Sequence, residues 1–296
     1  MNSRKVKKKV NRHEACTGYL FILPNLLGFL IFTAVPVVAG FIYSFTNYDG
    51  FRTMDFVGLK NYMDLFKDSY FKISLINNFY FTLVSVPLSI IAGLMLAVVL
   101  NRGIKGKTFF RSVAYFPNLT SVVAVGVVWI ALFNVNSGPI NEMLKALGVD
   151  NPPMWLSSTV WAMPAVIIVS VWQSAGYHMV MFLGGLQAIP NDLYEAAAID
   201  GANKRQQFFH ITIPMLSNTI FLVTVLAVIG SFQVFAIIDV MTEGGPGRST
   251  NVLVYRIYQE AFMNSKFGYA SAMAFFLALI IFVFTVVQFK LQKQSE

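Results

Sequence analysis

Along this chain of 296 residues, polar and apolar positions are sorted into long stretches that carry no formal charge. Six of them, 15–48, 73–101, 112–141, 151–191, 206–238 and 267–289, each run for 23 residues or more. A helix needs about 20 apolar residues to cross a bilayer core of about 30 Å, and each stretch can hold one such helix. The predicted elements are membrane-spanning helices at about 19–43, 79–100, 112–133, 158–183, 216–238 and 269–289. The stretch 151–191 is the longest. Pro152, Pro153, Ser157 and Ser158 at one end, and Gly184, Gly185 and Gln187 at the other, trim it to a single helix. Core helices of a soluble protein are nearer ~12 residues and alternate with amphipathic ones. A membrane β-barrel would show short alternating strands. Neither describes this chain. The expected fold class is all-α, a polytopic membrane protein with six transmembrane helices. A basic segment 1–18 precedes one transmembrane domain over 19–289, and a short tail, 290–296, follows.

Composition agrees. Charged residues make up 12% of the chain and hydrophobic ones 56%, where a soluble domain carries roughly 25% charged. Cys16 is the sole cysteine, so no intrachain disulfide can form. One cysteine and three histidines are a poor metal inventory. No metal site and no catalytic residue are expected.

Basic residues then choose the orientation. An even number of spans puts both termini on one side. Fourteen Lys and Arg lie in the N-terminus, loop 101–111, loop 184–214 and the tail, against eight in the longer opposite loops, where nine acids offset them. Both termini and these two loops are therefore expected in the cytoplasm. The net charge of +8 follows from this bias and from attraction to anionic lipid; it requires no nucleic acid. The first apolar stretch is longer than a signal-peptide core and continues into a loop, so it is expected to stay as an anchor.

Six spans consume about 120 residues, and no remaining segment can house a nucleotide-hydrolysing domain. Uphill work would draw on another subunit or a coupled ion. Gly106-Lys107-Thr108 looks like the end of a phosphate loop, but Asn101 stands where the first glycine belongs and a membrane helix precedes it. It reads as a cytoplasmic anchor. An ion-coupled carrier would bury carboxylates at the midplane. The six predicted spans hold no Asp, Glu, Lys or Arg, and His178 is their one titratable candidate.

Loop 184–214 carries the most specific signal. Pro190 stops the preceding segment, and Asp192 with Glu195 has capping-box spacing. Ala196, Ala197 and Ala198 favour helix, and Gly201 suits a C-terminal cap. A second short helix is expected from about Asn203 to His210, with Pro214 before the fifth span. The result is a helix–Gly–helix elbow with a low-profile surface that another protein can close upon.

Glu195-Ala196-Ala197 through Asp200-Gly201-Ala202, followed by Phe208, Ile211 and Pro214, resembles the EAA loop of binding-protein-dependent ABC importer permeases. Further segments resemble the carbohydrate-uptake branch, in the maltose or multiple-sugar F-type subunit. They are Pro36 with Ser44-Phe45-Thr46-Asn47-Tyr48, Phe56 to Tyr62, Gly138-Pro139-Ile140-Asn141, Trp155-Leu156, and Thr242-Glu243-Gly244-Gly245-Pro246 with Thr250. The likeness covers nearly the whole chain. It implies the type I importer permease fold in a bacterial inner membrane. Implied partners are a second homologous permease, two ATP-binding cassette subunits that hold ATP and Mg²⁺, and an extracytoplasmic sugar-binding protein. The chain itself would need no cofactor. The resemblance makes Glu195, Ala196, Ala197, Asp200, Gly201 and Ala202 the ATPase-coupling residues. Ser217-Asn218 departs from it, where many relatives carry a basic residue and a proline.

A sugar path needs aromatic faces and hydrogen-bonding amides and hydroxyls. Trp172, Gln173, Ser174 and Tyr177 in the fourth span, and Ser231 and Gln233 in the fifth, offer them. The resemblance places a sugar site between these spans and aligns Trp172, Ser174, Tyr177 and Ser231 with its lining. Ala227 stands where the family has a further polar contact. Packing between membrane helices uses the same residue types. For Gly244, Gly245 and Pro246 the resemblance implies an outer gate or a seat for the binding protein, and a plain turn fits them equally. The function expected is ATP-driven sugar import by alternating access, without covalent chemistry on this chain. The rivals are a secondary sugar carrier and a non-translocating receptor or scaffold.

Overall fold

The computed structural model describes residues 12–52 and 54–295. The basic cluster Arg4, Lys5, Lys7, Lys8 and Lys9 lies outside the described residues.

The first span is α1 (Arg12–Phe29) and α2 (Val35–Tyr43), joined through a wide turn at Leu30–Ala34. After a loop and α3 (Lys60–Leu65) comes α4 (Ser69–Asn101). At 33 residues α4 is about 50 Å long by the 1.5 Å rise per residue, so it projects well beyond the hydrocarbon. The third span is broken into α5 (Lys107–Leu119) and α6 (Val122–Leu132), which meet at 97°. A short α7 (Pro139–Ala146) leads to α8 (Ala162–Gln187), a straight span. The elbow holds α9 (Asn191–Ile199) and α10 (Lys204–Gln207). A second wide turn, Phe208–Thr212, and α11 (Ile213–Met215) join it to α12 (Ser217–Phe232) at a 65° bend. Then follow α13 (Ala236–Thr242), α14 (Leu253–Tyr258), a third wide turn at Gln259–Met263, and α15 (Phe267–Ser295). Among the described residues four helices are long and apolar enough to span a membrane, or up to six spans if each bent pair counts as one. Among the described residues no strand forms; Thr46 and Phe56 make an isolated antiparallel bridge.

Two expected spans differ from the single helices anticipated at 112–133 and 216–238. In the third, Pro117 has no amide hydrogen to give, and the Thr120 hydroxyl takes the Phe116 carbonyl at 3.0 Å. The chain turns extended at Thr120 and restarts at Ser121. The fifth ends at Phe232, six residues early. Ser231 Oγ bonds back to the Val228 carbonyl at 2.8 Å, and the Gln233 amide closes a tighter turn on Gly230 at 3.2 Å. Side-chain hydroxyls compete here with the helix ladder.

Three apolar clusters organise the bundle. One holds Ala97, Leu100, Met179, Leu186, Ile189 and Leu216 at the elbow end. It places loop 101–111 beside loop 184–214, on one side as the charges require. Arg111 adds a bond to the Leu100 carbonyl at 3.0 Å. Another cluster joins α4, α12 and α15 around Phe71, Phe232 and Met273. The third surrounds Val166, Ile238 and Trp155 toward the opposite, outer end. Over Thr17–Tyr43 the first span buries no residue; Phe21 and Phe32 are about four-fifths exposed. Lipid or another subunit must cover that face.

The outer end is pinned by polar groups. Asp68 caps α4 by accepting from the Tyr70 amide and accepts from the Tyr269 hydroxyl at 3.0 Å. Arg256 pairs with Asp68 at 3.6 Å and with buried Glu260, which Lys266 also approaches at 3.6 Å. Asn61 holds the Ser44 and Thr46 carbonyls at 2.9 and 2.8 Å. Trp155 donates to Asn141 at 2.8 Å.

α5 and α8 touch backbone to side at Gly176. A Cβ there would sit 2.0 Å from the Ala114 carbonyl oxygen. We expect Gly176→Ala to force the two helices apart and to cost about 1–3 kcal/mol, in the range of overpacked cores. A fall in detergent-solubilised melting temperature checks this; an unchanged melting point contradicts the contact.

Candidate functional site

A cavity of about 570 Å³ opens between α4, α5, α8 and the α12–α13 break. It gathers five of the six residues expected on a solute path, namely Gln173, Ser174, Tyr177, Ser231 and Gln233. Trp172 is not in this wall. It is 44% exposed and meets Trp129 edge-on at 5.5 Å. Sequence reasoning missed Ser85 and Ser89 on α4, Asn118 on α5 and Ser170 on α8, all of which line the cavity. Ser85 and Ser89 lie four residues apart on one helix face, a spacing visible in the sequence. Asn118 gave no such signal, because it faces the cavity only through the break after it.

Both broken spans turn irregular at this wall. Asn118 and Val122 flank the first break, and Gln233, Val234 and Phe235 form the second. Unpaired backbone is tolerated at membrane depth only where it is buried in protein or lines a water-filled cavity.

The wall is neutral. It includes no Lys, Arg, Asp or Glu, and His178 is its titratable member. Ser170 and Ser174 donate their hydroxyl hydrogens to the Val166 and Ser170 carbonyls at 2.9 and 2.8 Å, so each offers lone pairs to the cavity. Gln173 reaches the Pro117 carbonyl at 3.4 Å. Among the described residues the side chains of Tyr177 and Gln233 make no hydrogen bond, so a phenol and an amide are free. Such a wall can hydrogen-bond a polyol. Among the described residues no group of three His, Cys, Asp or Glu could hold a metal ion.

At the other end of α8 the elbow is a rigid piece. Gly201 takes φ +82°, a conformation costly for any residue with a Cβ. The Ala202 amide bonds to the Ala197 carbonyl at 2.9 Å and the Gly201 amide to that of Ala198 at 3.1 Å, which is a Schellman closure. The capping box lies one helix later than expected. Pro190 precedes α9 without a side-chain cap, so Asp192 and Glu195 do not pair across that start. The box is Asn203 with Gln206, at 2.9 and 2.8 Å, and it opens α10. Buried Gln207 donates to the Tyr194 and Ala202 carbonyls, each at 3.4 Å, and Tyr194 meets Thr212 at 2.9 Å. Glu195, Ala196, Asp200 and Gly201 are exposed, while Ala197 and Ala202 are half-buried. Among the described residues Glu195 forms no ion pair. Sequence reasoning passed over Ile199, 86% exposed at the tip.

The outer turn follows α13. Glu243, Gly244 and Gly247 all have positive φ. Gly244, Gly245 and Pro246 fold back so that Thr250 Oγ1 donates to the Gly245 carbonyl at 2.8 Å. Burial, then the negative charge of Asp239, raises the Tyr255 phenol beside this turn above its ordinary range.

Comparison with known proteins identifies the class. The model of the family described as binding-protein-dependent transport system inner membrane component matches residues 86–294. The probable ABC transporter permease protein YurN of Bacillus subtilis is 37% identical, over 94% of this chain and 96% of its own. The multiple sugar-binding transport system permease protein MsmF of Streptococcus mutans is 34% identical over 98% and 99%. Among solved structures, a chain of a bacterial ABC transporter that imports the acidic polysaccharide alginate superposes with a TM-score of 0.85. It does so over 95% of this chain and 96% of that one at 22% identity, a likeness of fold. The chain belongs to the family of inner-membrane components of binding-protein-dependent transport systems. It is a multi-pass permease subunit of an ABC importer, and it translocates rather than catalyses.

Asn203→Ala removes the side-chain half of the capping box, the Oδ1 that accepts from the Gln206 amide, a loss of about 1 kcal/mol of local stability. Hydrogen exchange should rise at Lys204–Gln207 while the spans stay protected. Unchanged exchange there would mean that the cap does not hold α10.

Proposed function

We propose that this permease passes a neutral sugar, an oligosaccharide, from an extracytoplasmic binding protein into a bacterial cytoplasm by alternating access. The observation that carries this reading is the cavity wall of hydroxyls, amides and aromatic rings without a fixed charge. Sugars are bound by such groups, whereas an acidic solute would call for cations. One relative, MsmF, is named for a multiple sugar-binding transport system.

The energy enters at the elbow. Two ATP-binding cassette subunits hold ATP and Mg²⁺, and each grips one elbow, one on this chain and one on a second permease. Ile199 is the apolar tip, Ala196 and Ala197 keep the approach low, and Glu195 is free to meet a cation of the ATPase. Asp200, Gly201 and Ala202 hold the turn that aims the tip. Because Gln207 and Tyr194 clamp the elbow, its rotation is passed to α8 and α12, which form facing walls of the cavity. Trp172, outside this wall, belongs to the side that a second permease would close. Gly244, Gly245 and Pro246 are the seat of the binding protein.

The test is uptake into proteoliposomes holding both permeases, the ATPases and the binding protein. Neutral oligosaccharides should enter with ATP after every ion gradient is collapsed, and an acidic sugar should not. Loss of uptake on collapsing the gradients would return the reading to a secondary carrier. Preferred uptake of the acidic sugar would overturn the substrate class.

Two variants sharpen it. Ala197→Trp should insert normally yet reduce uptake about tenfold or more, since burying a misfit at an interface core costs over 1 kcal/mol. Gln233→Ala removes a neutral hydrogen bond worth about 1 kcal/mol, so sugar affinity of the purified complex should fall about fivefold by titration calorimetry.

A further inference from the structure

The segment between the outer turn and α14 is strapped along one helix. The Arg248 guanidinium lies 3.3 Å from the centre of the Tyr70 ring. Ser74 Oγ donates to Asn251 Oδ1 at 2.8 Å. Asn77 Nδ2 donates to the Arg248 carbonyl at 2.8 Å and the Asn251 carbonyl at 2.9 Å. Asn78 Oδ1 accepts from the Leu253 amide at 3.2 Å. Tyr70, Ser74, Asn77 and Asn78 are spaced to share one face of α4, so the strap is a property of that helix.

Asn78 does more than hold the strap. Its side chain is fully buried, and its Nδ2 donates to the Ser231 carbonyl at 3.3 Å. That carbonyl sits at the end of α12 and otherwise receives a long bond from the Val234 amide at 3.4 Å. One turn further along α4, Thr82 Oγ1 accepts from Ser231 Oγ at 2.9 Å. The first amide of α14 and the last carbonyls of α12 are groups that a helix cannot satisfy from within. A single asparagine closes one of each, and Ser231 lines the cavity.

We propose that Asn78 is a positioning residue that makes the outer segment 248–253, α4 and the end of α12 one body, so that a binding protein seated on the outer turn acts directly on the cavity wall at Ser231. This rests on the importer reading above. A loose outer loop would let the binding protein dock without any effect on the cavity; the tie removes that freedom.

The experiment uses the full reconstituted complex. Loaded binding protein should stimulate ATP hydrolysis by the wild type. In Asn78→Ala the stimulation should fall about tenfold, within the usual span of coupling between sites, while basal hydrolysis stays unchanged. A purely structural role would lower both together. Equal stimulation in wild type and Asn78→Ala overturns the inference and leaves the importer reading intact. A wild type that no loaded binding protein stimulates overturns both. Where Asn78→Ala does not fold, a disulfide between Ser74→Cys and Asn251→Cys, in a Cys16→Ser background, decides. Uptake above half that of the reduced form supports one moving body, and uptake below half overturns it.

Discussion

The constraint on which this structure depends is that a peptide group inside a bilayer must find its partner within the protein. Intact helices satisfy it without help. Two spans here are interrupted beside the cavity between α4, α8 and α12: the third between α5 and α6, and the fifth where α12 ends at Phe232 before α13. The breaks and the cavity are one feature. Water or a polyol in the cavity can satisfy groups that lipid cannot, and the freed groups give that polyol something to bind. A continuous fifth helix through Gln233 would bury its own backbone bonds and present a smoother, more apolar wall.

The same requirement explains the polar residues at the outer end. Asn61 closes the end of the first span by holding the Ser44 and Thr46 carbonyls. Asn141 holds the Val135 and Pro153 carbonyls and accepts from Trp155. Asp68 caps α4 while its other oxygen takes the Tyr269 hydroxyl. Asn61 and Asn141 stand within segments that resemble the sugar-importer branch, and all three residues tie a helix end to a neighbouring part of the chain. The cations on this side are used in the same way. Arg256 sits between two carboxylates and near the face of Tyr70. It adds little free positive charge to the outer surface, which is consistent with the orientation bias of the loops.

How much of this was legible in the sequence follows from the range of each force. The spans came from charge avoidance, a property of each residue alone, and the loops that share an end came from the basic bias. Gly201 was legible because a Schellman turn demands a positive φ from a single residue. The capping box was not. Asp192 with Glu195 and Asn203 with Gln206 have the same spacing, and the choice between them depends on Pro190, which starts α9 without a side-chain cap. The breaks were hidden for another reason. Pro117, Thr120 and Ser231 are compatible with continuous membrane helices, and they become breaking residues once neighbouring helices offer a cavity. Asn118 and Trp172 illustrate the outcome: the first faces the cavity through a bend that no local pattern announces, and the second, one residue before Gln173, turns away from it.

Rigidity and interruption are thus distributed with a purpose. At the elbow the chain is cross-braced: Gln207 grips both arms, Tyr194 meets Thr212, and the cluster around Leu186 and Leu216 seats the elbow on α8 and α12. At the cavity, α5 and α12 are cut short and their ends are left to side chains and cavity. On the proposed reading, an elbow that flexed would absorb the motion of a partner ATPase before it reached α8. A pair of unbroken spans would carry that motion but offer the solute fewer polar partners. The proposed path for a neutral, many-hydroxyl solute calls for both, and in α12 they lie at opposite ends of one helix, the elbow at its start and the break at Phe232.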